Sequence, residues 1–184
     1  MMNPLDNLVQ GFQDLVAQVP ELLQPFIAML AGAVPFVEGE VAAMVGIVGG
    51  LNPILAGLAA AAGNFISVLL VVLLTSRART AVVDRRTTRV AVPVGAPSPV
   101  EEFAPAPTES KGRAKFKRWL VRFGVPGASI LGPLAIPTQF TSAILVAGGT
   151  PRAWVLLWQA VAIVIWTTVA TVSVWAALSL LLSA

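Results

Sequence analysis

Two acidic residues lie where acids are costly. Residues 26–51 are almost wholly apolar, reading FIAMLAGAVPFV, then Glu38-Gly39-Glu40, then VAAMVGIVGGL. A charged side chain inside a membrane segment costs roughly 2.5–3.5 kcal/mol on insertion scales, so a pair of them calls for a functional explanation. The chain has no His, Cys or Tyr, so proton chemistry must run on Asp, Glu, Lys or Arg. A carboxyl sheltered from water is the natural proton carrier in such a chain. The plain alternative is a shallow segment whose acids only touch headgroup water. Residues two apart on one helix point about 200° away from each other. One acid therefore faces a cavity and the other does not, unless the junction is unwound.

A second polar junction lies further on. GVPGASILGPLAI leads into Pro137-Thr138-Gln139 and then FTSAILVAGG. Asn64 is the one strongly polar residue inside the apolar run Ile54 to Leu74. The expected proton and substrate site is thus Glu38, Glu40, Asn64, Thr138 and Gln139, with Pro35, Gly39 and Pro137 shaping the apices. Structural roles compete at three of these. A lone helical Asn can serve packing, and Thr138 and Gln139 can simply satisfy an unwound tip.

These residues need elements to hold them, and composition says which kind. Of 184 residues 57% are hydrophobic and only 11% charged, with a mean hydropathy of +0.83. A soluble domain is about a quarter charged, and water-facing surface needs that charge. Without Cys there is no disulfide, thiolate nucleophile or Cys-type zinc site. No phosphate-loop glycine pattern or nucleophile–base pair is present, so an enzyme, a cofactor and a metal site are not expected. The net charge of +3 could suggest nucleic acid, but 11 of the 12 basic residues lie between Arg77 and Arg122, and the last is Arg152. A basic cluster flanked by apolar runs is the mark of a cytoplasmic loop. Nucleic acid is therefore not an expected partner. The start, Met-Met-Asn-Pro-Leu-Asp, has no basic n-region, so a cleaved signal is not expected.

Four regions follow. Residues 1–22 hold an amphipathic interfacial helix: Leu5, Leu8, Val9, Phe12, Leu15, Val16 and Val19 share one face, and Pro20 ends it. Residues 23–76 hold the acidic hairpin and a span from Ile54 to Leu74. Each half of the hairpin is about a dozen residues, roughly 17 Å of helix, against about 30 Å of hydrocarbon. That favours a re-entrant hairpin, with its tip at mid-membrane, over two full spans. Residues 77–114 are a Pro-rich cytosolic linker expected to be disordered. Residues 115–184 begin in an interfacial helix (Lys111 to Phe123) whose Lys115, Arg118 and Arg122 face anionic lipid. The second hairpin follows, and then a long helix, 153–183, anchored at its cytosolic end by Arg152.

Pairing Pro35 with Pro137 brings Gly46 onto Gly148 and Asn64 onto Trp166. Paired interrupted segments in two halves are the best sequence pointer to a transporter-type site. With the linker, residues 77–122, cytosolic, the two spans run in opposite directions and the halves are inverted. The fold class is an all-α integral membrane protein: an inverted repeat of re-entrant helical hairpin plus transmembrane helix, with interfacial amphipathic helices.

The run AVPFVEGEVAAMVGIVGGLNP…AAAGN, with GVPG…IP…AGGTPRAW later, resembles the small multidrug export protein family, in its actinobacterial form. The likeness covers most of residues 24–180 apart from the linker. That family is in turn similar to the DedA/VTT (SNARE-associated) membrane proteins. Pro35, Glu38 and Glu40 match their acidic hairpin; Ala147-Gly148 and Trp166 match their second half. The resemblance implies two re-entrant loops meeting at mid-membrane in a bacterial cytoplasmic membrane, with secondary transport or lipid translocation as activity. One departure is that DedA-type proteins carry basic residues around the second hairpin's Pro, where this chain has Thr138 and Gln139. The leading expectation is a multi-pass, proton-coupled transporter or exporter of small molecules or drugs. Its partners are lipids, protons and a small-molecule substrate, with a homodimer among the assemblies it allows. The rivals are DedA-type lipid translocation and a non-transporting membrane scaffold that docks through the linker.

Overall fold

A computed structural model describes residues 18–90 and 124–183, together with Asn7, Gln10, Gly11, Phe12, Asp14 and Leu15. The Pro-rich segment after Val90 and the helix expected at Lys111 to Phe123, with Lys115, Arg118 and Arg122, lie outside those residues. The described residues form helices and turns with no strand among them. α1 is Gln24–Gly32, α2 Glu38–Val48 and α3 Pro53–Val90. α4, at 124–131, runs into a 3₁₀ turn, Gly132–Leu134; α5 is Thr138–Ala147 and α6 Arg152–Ser183. Two stretches are long and apolar enough to cross a membrane, Pro53–Val82 and Arg152–Leu181. By contrast α1, α2 and α5 have 9, 11 and 10 residues, each about 14–17 Å long at 1.5 Å per residue.

Small residues decide which helices touch. A methyl group added at Gly63 would collide with the Met29 carbonyl, and one at Gly32 with the Ala60 carbonyl. At Gly46 it would press on the Ala56 Cβ at 3.0 Å. The backbones of α1, α2 and the first half of α3 therefore lie almost in contact, around buried Ala28, Ala31, Ala42, Ala43, Ala56 and Ala60. Phe12, from the helical N-terminal residues, packs against this trio. The second hairpin uses the other half of the long helices: Leu145 and Val146 of α5 pack with Val68 and Val72 of α3 and with Val155 and Ile163 of α6. α3 and α6 run antiparallel, with Gly57 beside Thr171.

The same exit turn ends both hairpins. Gly49, Gly50 and Leu51 donate to the carbonyls of Val45, Ile47 and Gly46; Gly148, Gly149 and Thr150 donate to those of Ile144, Val146 and Leu145. Gly50 and Gly149 both take a left-handed backbone, φ +96° and +99°, which glycine adopts without steric cost. This match pairs Gly148 with Gly49, not with Gly46 as the prolines alone suggest. In that register Ala56, Ala60, Asn64, Val68 and Val72 correspond to Val155, Gln159, Ile163, Thr167 and Thr171. The first set is fully buried at every position, and of the second the first four are buried. Each long helix thus hides one stripe at a spacing of four.

One boundary differs from expectation. α3 continues through Arg77 to Val90, past the expected start of the linker. The stretch TSRARTAVVDRRTTRV has no Gly or Pro to stop a helix, and the first proline is Pro93. The start of α3 is fixed by the Asn52 side chain, whose Oδ1 accepts from the Ile54 and Leu55 amides at 3.0 and 3.4 Å.

The close approach at Gly63 gives a direct test. Gly63→Ala should destabilise the detergent-solubilised protein by about 1–3 kcal/mol, the usual range for overpacking. Gly11→Ala, whose added methyl meets nothing, should leave the melting temperature unchanged or slightly raised.

Candidate functional site

The turn at the head of the first hairpin has an unusual backbone. Phe36 and Glu38, neither of them glycine, adopt left-handed φ values of 71° and 51°, while Val37 between them stays right-handed. For L-residues that conformation costs roughly 1–2 kcal/mol each, and it persists only where the surroundings enforce it. Here it aims the Glu38 carboxylate away from its own helix. Glu38 is only 6% exposed.

Its target is the start of α5. Pro137 precedes that helix and offers neither an N–H nor a side-chain cap. The first N–H, at Thr138, has no acceptor inside its own helix. Glu38 Oε1 accepts it, and also accepts the Thr138 hydroxyl at 2.7 Å. An acid at a helix N-terminus is favoured by the helix dipole, and charge-assisted bonds are the stronger kind. The two hairpin heads are joined here across 100 residues of sequence.

Asn64 and Gln139 complete the cluster. Asn64 Oδ1 lies 3.0 Å from the Thr138 hydroxyl and 3.2 Å from Gln139 Nε2, and Gln139 Oε1 lies 3.4 Å from that hydroxyl. One hydroxyl proton cannot serve three acceptors, and the Glu38 contact is the shortest. Asn64 Nδ2 meanwhile has no partner. Turning both amides over lets Nδ2 donate to Thr138 Oγ1 and to Gln139 Oε1, leaving the hydroxyl proton to Glu38. Asn64, Thr138 and Gln139 are all buried.

The five expected residues do not form one ring. Glu38, Thr138, Asn64 and Gln139 meet, whereas Glu40 stands apart and takes no hydrogen bond from another described residue. Glu38 and Glu40 instead share a cavity of about 200 Å³, lined also by Phe36, Val37, Val41, Pro133, Leu134 and Trp166. The Trp166 indole N–H donates to the Ile130 carbonyl at 2.8 Å, which fixes its ring in the wall. Gly39 proves to be a contact residue rather than a turn residue, since its Cα faces the Thr167 hydroxyl too closely for any side chain. Pro35 lies in the turn before α2. Arg152, exposed at the first position of α6, touches none of this cluster. Arg79 lies against the Gly149 turn, 3.1 Å from where a Cβ would stand. That is the negative end of the α5 dipole, where a cation is favoured.

Other polar residues escaped the sequence reading. Gln159 is fully buried, and neither its Nε2 nor its Oε1 has a partner. The hydroxyls of Ser129, Thr167 and Thr171 and the Trp158 indole N–H are buried and unpartnered as well. The available signal was the spacing of Gln159, Thr167 and Thr171 by eight and four residues, on one face of an apolar helix. Among the described residues no group of three or more His, Cys, Asp or Glu could hold a metal ion.

No family model, curated protein or solved structure matches the chain. Function must therefore be argued from the site itself.

The joint between the heads is open to measurement. Removing the Glu38 carboxylate strands two buried donors, each worth about 1–3 kcal/mol. Glu38→Ala should therefore destabilise by about 2 kcal/mol or more, and Glu38→Gln, which keeps an acceptor oxygen, by less. A double-mutant cycle with Thr138→Val, read by reversible unfolding in detergent, should give a coupling of about 0.5–3 kcal/mol. Additive losses would mean that the bond carries no stability.

Proposed function

We propose that this protein is a small multi-pass secondary transporter of a bacterial cytoplasmic membrane, coupled to protons through Glu38 and Glu40. One observation carries the reading: a buried carboxylate at the head of one short hairpin holds the head of the other, beside a cavity. α1, α2 and α5 each reach about half of a 30 Å hydrocarbon layer. Irregular backbone at that depth is tolerated only where protein or a cavity surrounds it, as at Phe36–Glu38. The recurring exit turns and matched buried stripes support two related halves. In this reading the first hairpin enters from the side of Asn52 and the second from the side of Arg79 and Arg152, so the halves are inverted.

The chemistry follows from the bonding. Glu38 Oε1 accepts two hydrogen bonds, so a proton taken up by Glu38 goes to Oε2. Protonation weakens both bonds, because a neutral acid is a poorer acceptor than a carboxylate. The joint between the hairpin heads therefore loosens when Glu38 is loaded and tightens when it is empty. That is a link between proton occupancy and hairpin packing, which a coupled transporter requires. Glu40, free of such bonds, exchanges protons with the cavity.

Lipid translocation is the second reading, and one observation favours it. A groove of about 260 Å³ runs between α3 and α6, walled by Gly57, Ala61, Thr167 and Thr171 and rimmed by Ile54, Leu58, Val164 and Val172. An acyl chain fits such a lateral slot. Lipid flipping that persists without a proton gradient would favour this reading over the first.

Two measurements test the proposal. The chain is free of cysteine, so single cysteines report depth. Substitutions Asn52→Cys and Arg152→Cys should react with an impermeant maleimide from opposite faces, and Phe36→Cys from neither, although Phe36 is 62% exposed on the protein surface. Free reaction at position 36 would remove the membrane-depth premise. In proteoliposomes with an imposed pH gradient, the double variant Glu38→Gln, Glu40→Gln should abolish solute flux. Undiminished flux would end the proton role.

A further inference from the structure

We infer that the Glu38–Glu40 cavity binds a small amphiphilic organic cation, a quaternary or protonated amine carrying an aryl or alkyl group. This rests on the reading of that cavity as the transporter's polar centre, and it adds the substrate class. Three features of the wall converge. First, two carboxylates line it, and among the described residues no basic side chain does. Glu38 is 6% exposed, its Oε1 is committed to Thr138, and its Oε2 takes no hydrogen bond from any described residue. Glu40 has no such partner either. In the register set by the exit turns, Glu40 corresponds to Gln139. Gln139 finds Asn64, but the counterpart of Asn64 on α6 is the apolar Ile163. Among the described residues the fold thus supplies Gln139 with a mate and gives Glu40 none, and a half-buried acid in a cavity wall without a mate is left to take up a proton or a cation.

Second, the wall is aromatic. Trp166 is fixed by its bond to Ile130, and indole is the best of the side-chain partners for a cation. Phe36 lies at the rim, with its ring 6.0 Å from that of Phe140. Third, the rim is apolar and outward-facing, with Phe36 62%, Leu134 66% and Phe140 47% exposed. A ligand entering past these residues comes through an oily surface, which a strongly hydrated metal ion or a sugar would not do. Size agrees as well. A cavity of about 150 Å³ holds benzene, so about 200 Å³ admits one ring beside a compact charged head.

Benzyltrimethylammonium is a probe of that size, and neopentylbenzene is its neutral isostere. Titrated calorimetrically into the full chain in lipid nanodiscs, with empty nanodiscs subtracted, the cation should bind saturably and the isostere should not. Glu40→Gln should weaken binding by about tenfold or more, and Trp166→Leu by about tenfold, while Trp166→Phe should retain most of it. Trp166→Phe also guards against misfolding, because it keeps a ring in the wall. Equal binding of the isostere, or cation binding indifferent to both Glu40→Gln and Trp166→Leu, would overturn the assignment. So would complete displacement by millimolar sodium or magnesium, which would mark an inorganic site. The two readings fail separately. Acid-dependent flux of some other solute, with no cation binding, removes only the substrate class. Saturable cation binding with no acid-dependent flux removes only the transporter.

Discussion

A helix that begins inside a protein must find an acceptor for its first N–H, and α5 has none of its own. Pro137 cannot supply one, and bulk water is excluded, since Thr138 is 1% exposed. The acceptor comes from Glu38, far away in sequence. This requirement organises the centre of the molecule. It fixes where the first hairpin must end, and why Phe36 and Glu38 hold left-handed backbones that L-residues avoid. It also explains why Asn64 gathers beside Thr138 on the stripe of α3 that faces both heads. The strain at the turn, roughly 1–2 kcal/mol per residue, is of the same order as the charge-assisted bonds it makes possible. The bonds at the joint are therefore of a size to hold the turn in place.

Around that joint the packing is built for close approach rather than for bulk. Gly32 against Ala60 and Gly63 against Met29 bring helix backbones together where no side chain fits, and Gly39 leaves room for the Thr167 side chain. Such surfaces gain dispersion contact without needing large apolar side chains, which is how helices associate where lipid tails already satisfy hydrophobic groups. Many of the largest apolar residues lie outside: Leu22, Ile54, Leu58, Leu134, Leu180 and Leu181 are all more than 60% exposed. An arrangement of alanines and glycines at the closest contacts, with leucines on the surface, is unlike a water-soluble core.

Much of this was legible in the sequence, because the informative residues contrast with their surroundings. An acid pair between two half-length apolar runs, a Pro-Thr-Gln junction and one Asn in a clean span are visible against an apolar background, and four of those five polar residues meet. Other features had no such contrast. Whether Gly39 turned the chain or permitted a contact could not be read, since both uses call for glycine. The register of the halves was misdirected by Pro35 and Pro137, which occupy different places in their turns. The glycine pairs at the exits, which share one hydrogen-bonding pattern, set it instead. Gln159 was missed because α6 is apolar on every side, so no amphipathic face announces which residues point inward. The run of α3 to Val90 has nothing in the sequence to announce it, because arginine and threonine suit a linker as well, although neither stops a helix.

Two hairpins that share an exit turn but carry unlike polar residues have a consequence for the chemistry of the centre. If both heads carried the same groups, each would cap the other and the centre would be closed and inert. Here Glu38 is answered by Thr138, while the corresponding Gly39 answers nothing and only lets α6 approach. Gln139 has Asn64, while Glu40 has the position of Ile163. At the two heads, the polar groups of Thr138 and Gln139 are met, and among the described residues the first hairpin leaves one acid over. The surplus carboxylate sits in the cavity with Trp166, one turn from the strained residues that hold the joint. A ligand that neutralises it there acts on the same short turn that a proton on Glu38 would loosen. In the transporter proposed above, competition between the two for that turn is the simplest physical basis for exchange of one against the other.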